Sequence, residues 1–374
     1  RTNRLHSLIY ERIKLIMAYT TINKSSSFMN TKLYTSTGND NLAISGVGFE
    51  PSLTWIKKRN VVSGSDTNEW HMWADQVRGS GYYTSSNSTN GQASTTTDLK
   101  SWQSDGFTLG TDNKVNQGST PYTYASWNFK AGTSFSNSAG ANGASLASTG
   151  SVSTDGGFSI VSYTGYSPNA STVYHGLNSV PKMIIFKRLT GSANWSTYHH
   201  SLGNTKAIGL NTSTTFDTGA GYFNNTTPTS SVFSVANSGD TNSNGNPMIA
   251  YCFAEKTGHS KFGIYTANQN ANGPFIYTGM KVSWVMIKRI GTDPWVIYDN
   301  KRDPENVAER YLMANEQSSE TEEGSSVGID FVSNGFKIRG TSGKFNSTNS
   351  GVQYLYMAFG QTLVGSNNVP TTAR

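Results

Sequence analysis

The residues best equipped for chemistry are tryptophans that open three similar segments: Trp70 in WHMWAD, Trp195 in WSTYHH and Trp295 in WVIYDN. An indole face can stack on the apolar side of a sugar ring. The basic pairs upstream, Lys57-Lys58, Lys187-Arg188 and Lys288-Arg289, could then contact hydroxyls or acidic groups. Tyr82, Tyr83 and Tyr222 sit in Ser/Thr/Asn-rich stretches and offer the same aromatic, neutral-polar chemistry. A competing reading fits the recurrence better. Positions that repeat usually maintain a fold, with tryptophans packed inside and basic pairs at strand ends, which moves the expected ligand contacts to the variable loops.

Metal and catalytic chemistry have weaker candidates. In DTNSNGN (240–246), Asp240, Asn242, Asn244 and Gly245 match the first half of an oxygen-rich calcium loop. The place of the closing bidentate glutamate is held by Tyr251, so an ordinary Asn/Gly loop competes with a Ca2+ site. His199 and His200 are adjacent, and adjacent strand residues point to opposite faces, so they do not readily share one ion. Cys252 lies in an apolar strand and reads as a core thiol. No Gly-x-Ser-x-Gly elbow, Walker or dinucleotide-binding glycine pattern is present. Glycoside hydrolysis would need two carboxylates. Of Asp75, Asp105, Asp299 and Asp330, however, Asp105 reads as a turn former, and Asp75 and Asp299 as strand-end residues. The expectation is a protein without catalytic residues or a required cofactor.

The elements that must position these residues recur along the chain. Three apolar strands run into the basic pairs: Leu53-Thr-Trp-Ile56, Met183-Ile-Ile-Phe186 and Trp284-Val-Met-Ile287. The aromatic segments follow, the first of them admitting two registers one residue apart. Each copy then reaches Asn87, Asn211 or Asn315, a turn closed by Phe107, Phe233 or Phe336, and a last strand, YASWNF, MIAYCF or YLYMAF. Tyr34, Tyr163 and Tyr265 open the copies, so tyrosine to final phenylalanine spans 96, 91 and 95 residues. The fold expected is all-β: three tandem antiparallel β-sandwich repeats, jelly-roll or lectin-like, of about 95 residues each. The last strand alternates with neither face strongly polar, as an interior strand requires. Ser-Asp-Gly-Phe (104–107) and Ser-Asn-Gly-Phe (333–336) read as tight type I′ turns with glycine supplying positive backbone angles. The middle copy lacks that glycine and needs a different turn.

The corresponding division is an upstream extension at 1–16, repeats at 17–130, 158–256 and 257–362, and an extended polar tail at 363–374. The Ser/Gly/Ala-rich stretch 131–157 reads as a flexible tether between the first two repeats. Half of the net charge of +6 resides in residues 1–16, and no Lys/Arg run of the kind that tracks a phosphate backbone follows, so nucleic-acid binding is not expected. A single cysteine excludes an intrachain disulfide and fits assembly in a reducing compartment. No apolar stretch approaches the roughly 20 residues needed to cross a bilayer as a helix.

The phrases GFEPSLTWIKKR, VPKMIIFKR, SSVFSV, AYCFAEKTGHSKFGIY, DFVSNGFKIR and YLYMAFG resemble repeat domains in structural proteins of marine tailed bacteriophages. Those proteins are described as tail-fibre-like, with lectin-like (concanavalin/laminin-G-like) sandwiches. The resemblance covers most of 18–374. It implies a virion component assembled in the host cytoplasm, with other virion proteins as partners and a host-surface glycan as the ligand of a fibre or appendage. A homotrimer would be one way to multiply weak sites. A purely structural decoration or spacer role is the alternative, and a polysaccharide depolymerase a third.

Overall fold

The computed structural model describes residues 20–60, 70–118, 121–167, 169–216, 220–324 and 327–364. The extension expected at 1–16 and most of the tail lie outside these residues. The first third of the chain forms β1 (Met29–Thr35), β2 (Leu42–Ser45), β3 (Leu53–Lys58), β4 (Met72–Asp75), β5 (Tyr82–Tyr83), β6 (Ala93–Ser94), β7 (Leu99–Gln103), β8 (Gly106–Leu109) and β9 (Thr123–Phe129). The middle forms β10 (Thr133–Asn137), β11 (Ser148–Ser153), β12 (Phe158–Thr164), β13 (Ser171–Tyr174), β14 (Pro181–Arg188), β15 (Ser196–His199), β16 (Ala207–Gly209), β17 (Thr215–Phe216), β18 (Val232–Val235) and β19 (Pro247–Ala254). The last third forms β20 (Ser260–Thr266), β21 (Phe275–Tyr277), β22 (Met280–Arg289), β23 (Trp295–Asp299), β24 (Arg310–Met313), β25 (Thr321–Glu322), β26 (Gly328–Val332), β27 (Gly335–Arg339) and β28 (Gln353–Thr362).

One strand order occurs three times: β1-β9-β3-β4, β12-β19-β14-β15 and β20-β28-β22-β23, with antiparallel neighbours throughout. A smaller second layer lies over each, as β2-β8-β7, β13-β18 and β21-β27-β26. The fold is all-β and antiparallel. The alternation that left neither face polar now has a physical cause. One face of each large sheet packs on its own small layer: Ile56 and Tyr124 with Phe107, Phe186 and Ala250 with Phe233, Val285 and Tyr356 with Phe336. The opposite faces, carrying Trp55 and Trp127, Ile185 and Tyr251, Met286 and Met357, bury into one core shared by all three units. The final phenylalanines meet there: ring centroids of Phe129, Phe253 and Phe359 lie 5.5 to 6.3 Å apart. Such aromatic pairs contribute about 0.5–1.5 kcal/mol each beyond the area they bury.

Two expectations change. Residues 131–157 are not a tether, because β10 and β11 within them extend the second sheet as β10-β11-β12. Their small residues permit close packing: a Cβ on Gly150 would fall 2.1 Å from the Ile160 carbonyl oxygen. Their hydroxyls are used, Ser151 Oγ accepting from the Gly132 amide at 2.9 Å and Ser148 Oγ donating to the Tyr174 carbonyl at 3.0 Å. The Gly-Phe turns are not type I′ either, since neither Asp105 nor Asn334 takes a positive φ. Glycine is required there by crowding. A Cβ on Gly106 or Gly335 would sit 1.9 or 2.1 Å from the carbonyl oxygen of Ile44 or Ile276 on the neighbouring strand. Asp105 does form the turn's clamp, accepting from the amides of Gly46 and Gly48.

A candidate ligand pocket on the first unit

Trp195 and Trp295 are fully buried and cannot stack on a ligand. Each indole instead crosses a seam between units, Trp195 Nε1 donating to the Ser85 carbonyl at 2.9 Å and Trp295 Nε1 to the Gly209 carbonyl at 2.8 Å. The third seam is closed by His71, one residue past Trp70. Trp55 Nε1 donates to His71 Nδ1, so the proton is on Nε2, which donates to the Met313 carbonyl at 2.9 Å. Strand pairing settles the ambiguous register: Trp195 and Trp295 lie beside Lys187 and Lys288, and His71 stands beside Lys57. Asn87, Asn211 and Asn315 each accept the main-chain amide of that residue.

The first lysine of each basic pair makes the same circuit. Lys57 Nζ donates to the Gln317 carbonyl, Lys187 to Thr89 and Lys288 to Ser213, at 2.7 to 2.8 Å. Burial pulls Lys187 down to about 8 and Lys288 to about 7, with Asp240 and Asp293 opposing the shift. Unit 1 thus bonds to unit 3, unit 3 to unit 2, and unit 2 to unit 1. The repeated tryptophans and lysines are staples of a closed ring.

The calcium loop also resolves into structure. Asn242 is buried, its Oδ1 accepting from the Tyr166 amide at 2.7 Å and its Nδ2 donating to the Asn169 carbonyl at 3.0 Å. Asn116 and Asn346 hold the matching loops in the other units the same way. The leading tyrosines donate to the carbonyl one residue earlier, at Val115, Thr241 and Phe345. Asp240 accepts from the Asn194 amide at 2.9 Å and from the Tyr222 hydroxyl at 3.5 Å, and Asn244 is exposed. With Asn242 spent at both ends, the three residues do not form a cation cage. No cluster of three or more His, Cys, Asp or Glu suited to a metal occurs among the described residues. Cys252 is buried, which pushes its thiol up and leaves it inert.

Two of the expected contacts do come together. Trp70 and Tyr83 line a pocket of about 200 Å3 with Thr84, Ser85, Ser88, Asn90, Gly91, Ala93 and Lys114. Tyr82 is 41% exposed; alternation on β5 turns it away from Tyr83. The loop forming the rim is pinned to unit 2, Gln92 N donating to the Leu189 carbonyl and Ala193 N to the Thr89 carbonyl, both at 2.9 Å. Lys114 projects from the one-turn helix Asn113–Asn116, whose N-cap Asp112 accepts its amide at 2.8 Å. Its ammonium lies 4.7 Å from the Tyr83 ring centroid, 2.7 Å from Asp112 Oδ1 and 3.6 Å from Asp98 Oδ1. Burial, then the neighbouring Asp112, pushes the Asp98 carboxyl up to about 7, and Lys114 opposes the shift. Asp98 is sealed, 2% exposed, and stands behind Lys114 rather than lining the pocket. Sequence reading missed Lys114 and Asp98. The signal was the Asp112-x-Lys114 spacing beside an aromatic loop, too short to stand out alone.

An aromatic wall, neutral amide and hydroxyl groups and one cation line this pocket of an antiparallel β-sandwich protein, a composition suited to a small polar ligand. Residues 24–362 match the model of the family described as "Domain of unknown function (DUF7483)", and the chain belongs to that family. No curated protein matches the sequence.

Proposed function

We propose that the protein is a non-enzymatic virion component of tail-fibre or appendage type that attaches to host-surface glycan. The observation that supports this reading is the pocket in which Trp70 and Tyr83 stand with Ser88, Asn90 and Lys114. It joins a stacking surface to hydroxyl-binding groups. Glycan-array and host-cell binding of the full chain tests it. Binding that weakens about tenfold or more in Trp70→Ala is expected, and absence of any glycan or host-surface binding would overturn it.

A spacer or decoration role is favoured by one observation, the closed ring of seam bonds, which suits a rigid building block. Labelling on intact particles separates the readings: many copies with no free-ligand affinity favour the spacer. Release of reducing ends from host polysaccharide would instead reveal a depolymerase.

A further inference from the structure

We infer a second glycan-binding surface, an aromatic shelf on the outer sheet of the third unit that takes an extended polysaccharide chain. This inference deepens the attachment reading but rests on different residues. Phe275 and Tyr277 are 49% and 60% exposed, while Ile276 between them is buried. Alternation therefore places both rings on one outward face of β21, about 7 Å apart along the strand.

The fold does not require these aromatics. The positions that pair identically in the first unit are Ala43 and Ser45, because Ile44 opposes Phe107 as Ile276 opposes Phe336. In the second unit they are Thr172 and Tyr174, flanking Val173 opposite Phe233. Core positions that repeat stay apolar in all three units, as the three final phenylalanines do. Here Ala43, Ser45 and Thr172 carry no ring and Tyr174 is partly buried, so two exposed rings in line occur in the third unit alone.

The surroundings select the occupant. Gly335, opposite Tyr277, leaves the sheet beside the rings without a side chain. Lys337 lies opposite Phe275, and next along β27 on the same face Arg339 pairs with Asp330 at 2.6 Å while staying 39% exposed. Asp330 and Arg339, with Asn272 and Asn306, also line a groove of about 760 Å3 whose remaining walls are Ala271, Val307, Val327 and Gly340. Two flat apolar rings in line, followed by a planar guanidinium, a carboxylate and an amide, match successive pyranoses. Their C–H faces would lie on the rings and their hydroxyls meet the polar groove. A protein partner would meet an apolar strip only two rings wide, beside a groove whose charges are already paired as Arg339–Asp330.

Affinity electrophoresis of the full chain in gels containing hydroxyethyl cellulose, laminarin, dextran or alginate tests the shelf. Retardation by at least one polymer is expected, weakened roughly tenfold in Phe275→Ala/Tyr277→Ala. An unaltered melting temperature in the double variant guards against misfolding. Retardation by none of the polymers, or equal retardation of the double variant, overturns the shelf. Polymer retardation lost in Trp70→Ala but kept in the double variant also overturns it, while leaving the pocket standing. Addition of an extended peptide to the free edge of β21, unaffected by the double substitution, would identify a protein site and overturn it too.

Discussion

Trp70 and Trp295 begin similar phrases and end in opposite roles. Trp295 is 1% exposed, fills the shared core and bonds to the Gly209 carbonyl; Trp70 is half-buried at a pocket mouth. Trp295→Ala should cost about 3–5 kcal/mol of stability, the range for a large core truncation. Trp70→Ala should cost well under half of that, and urea unfolding of the two variants checks the contrast. Equal losses would place Trp70 in the core. Sequence spacing could not assign these roles, because a one-residue shift in WHMWAD exchanges Trp70 for His71 as the counterpart of Trp195 and Trp295. Only the pairing of Trp55 with Trp73 fixes the register. Asn242 was ambiguous for a related reason: oxygen-rich side chains at calcium spacing serve equally well to clamp a loop, as Asn116 and Asn346 do in the other units.

At the scale of elements, buried histidines in or beside strands and turns bond across the seams. His71 Nε2 donates to the Met313 carbonyl, His199 Nε2 to Tyr356 at 3.2 Å, and His259 Nδ1 meets Ser25 Oγ. Burial holds all three imidazoles far below their usual value, His199 and His259 at about 3. Lys57 adds to this at His71, His200 at His199 and Lys256 at His259. Lys182, Lys261 and Glu255 act on the neighbouring His200. Between pH 6.5 and about 3 the unfolded chain binds protons that the folded chain refuses, so stability falls as pH is lowered through that window. Urea midpoints should therefore drop steadily from pH 7 to pH 4, and His199→Gln should flatten the slope. A pH-independent midpoint would contradict neutral seam histidines.

Much of the fold was legible at this scale because hydrophobic alternation and the Tyr-to-Phe spacing are local signals. The strands that carry Phe129, Phe253 and Phe359, and the core phenylalanines 107, 233 and 336, stand where they were expected, although two of those strands run on to Ala254 and Thr362. The hairpin β10-β11 was hidden, since its residues are small and polar and its strand character comes from the sheet edge it joins. The pocket was half legible: Trp70 and Tyr83 have conspicuous types, whereas Lys114 acquires its place only when a one-turn helix brings it over Tyr83.

At the scale of the molecule, three sandwiches share one core, and the interlocking is reciprocal. Tyr251 of the second unit donates to Asp75 of the first at 2.8 Å, where Arg78 also binds. Trp127 of the first unit donates to Asp299 of the third at 3.1 Å, which Arg302 holds. Removing one partner from such a buried pair strands a charge and costs about 3–5 kcal/mol. No unit can leave without exposing the face that carries Trp55, Ile185 or Met286. Differential scanning calorimetry of the full chain at neutral pH measures this coupling directly. One transition, with calorimetric and van't Hoff enthalpies equal, is the outcome that a shared core dictates. Two or three separable transitions would show that the sandwiches fold independently and that the ring of staples does not bind them into one body.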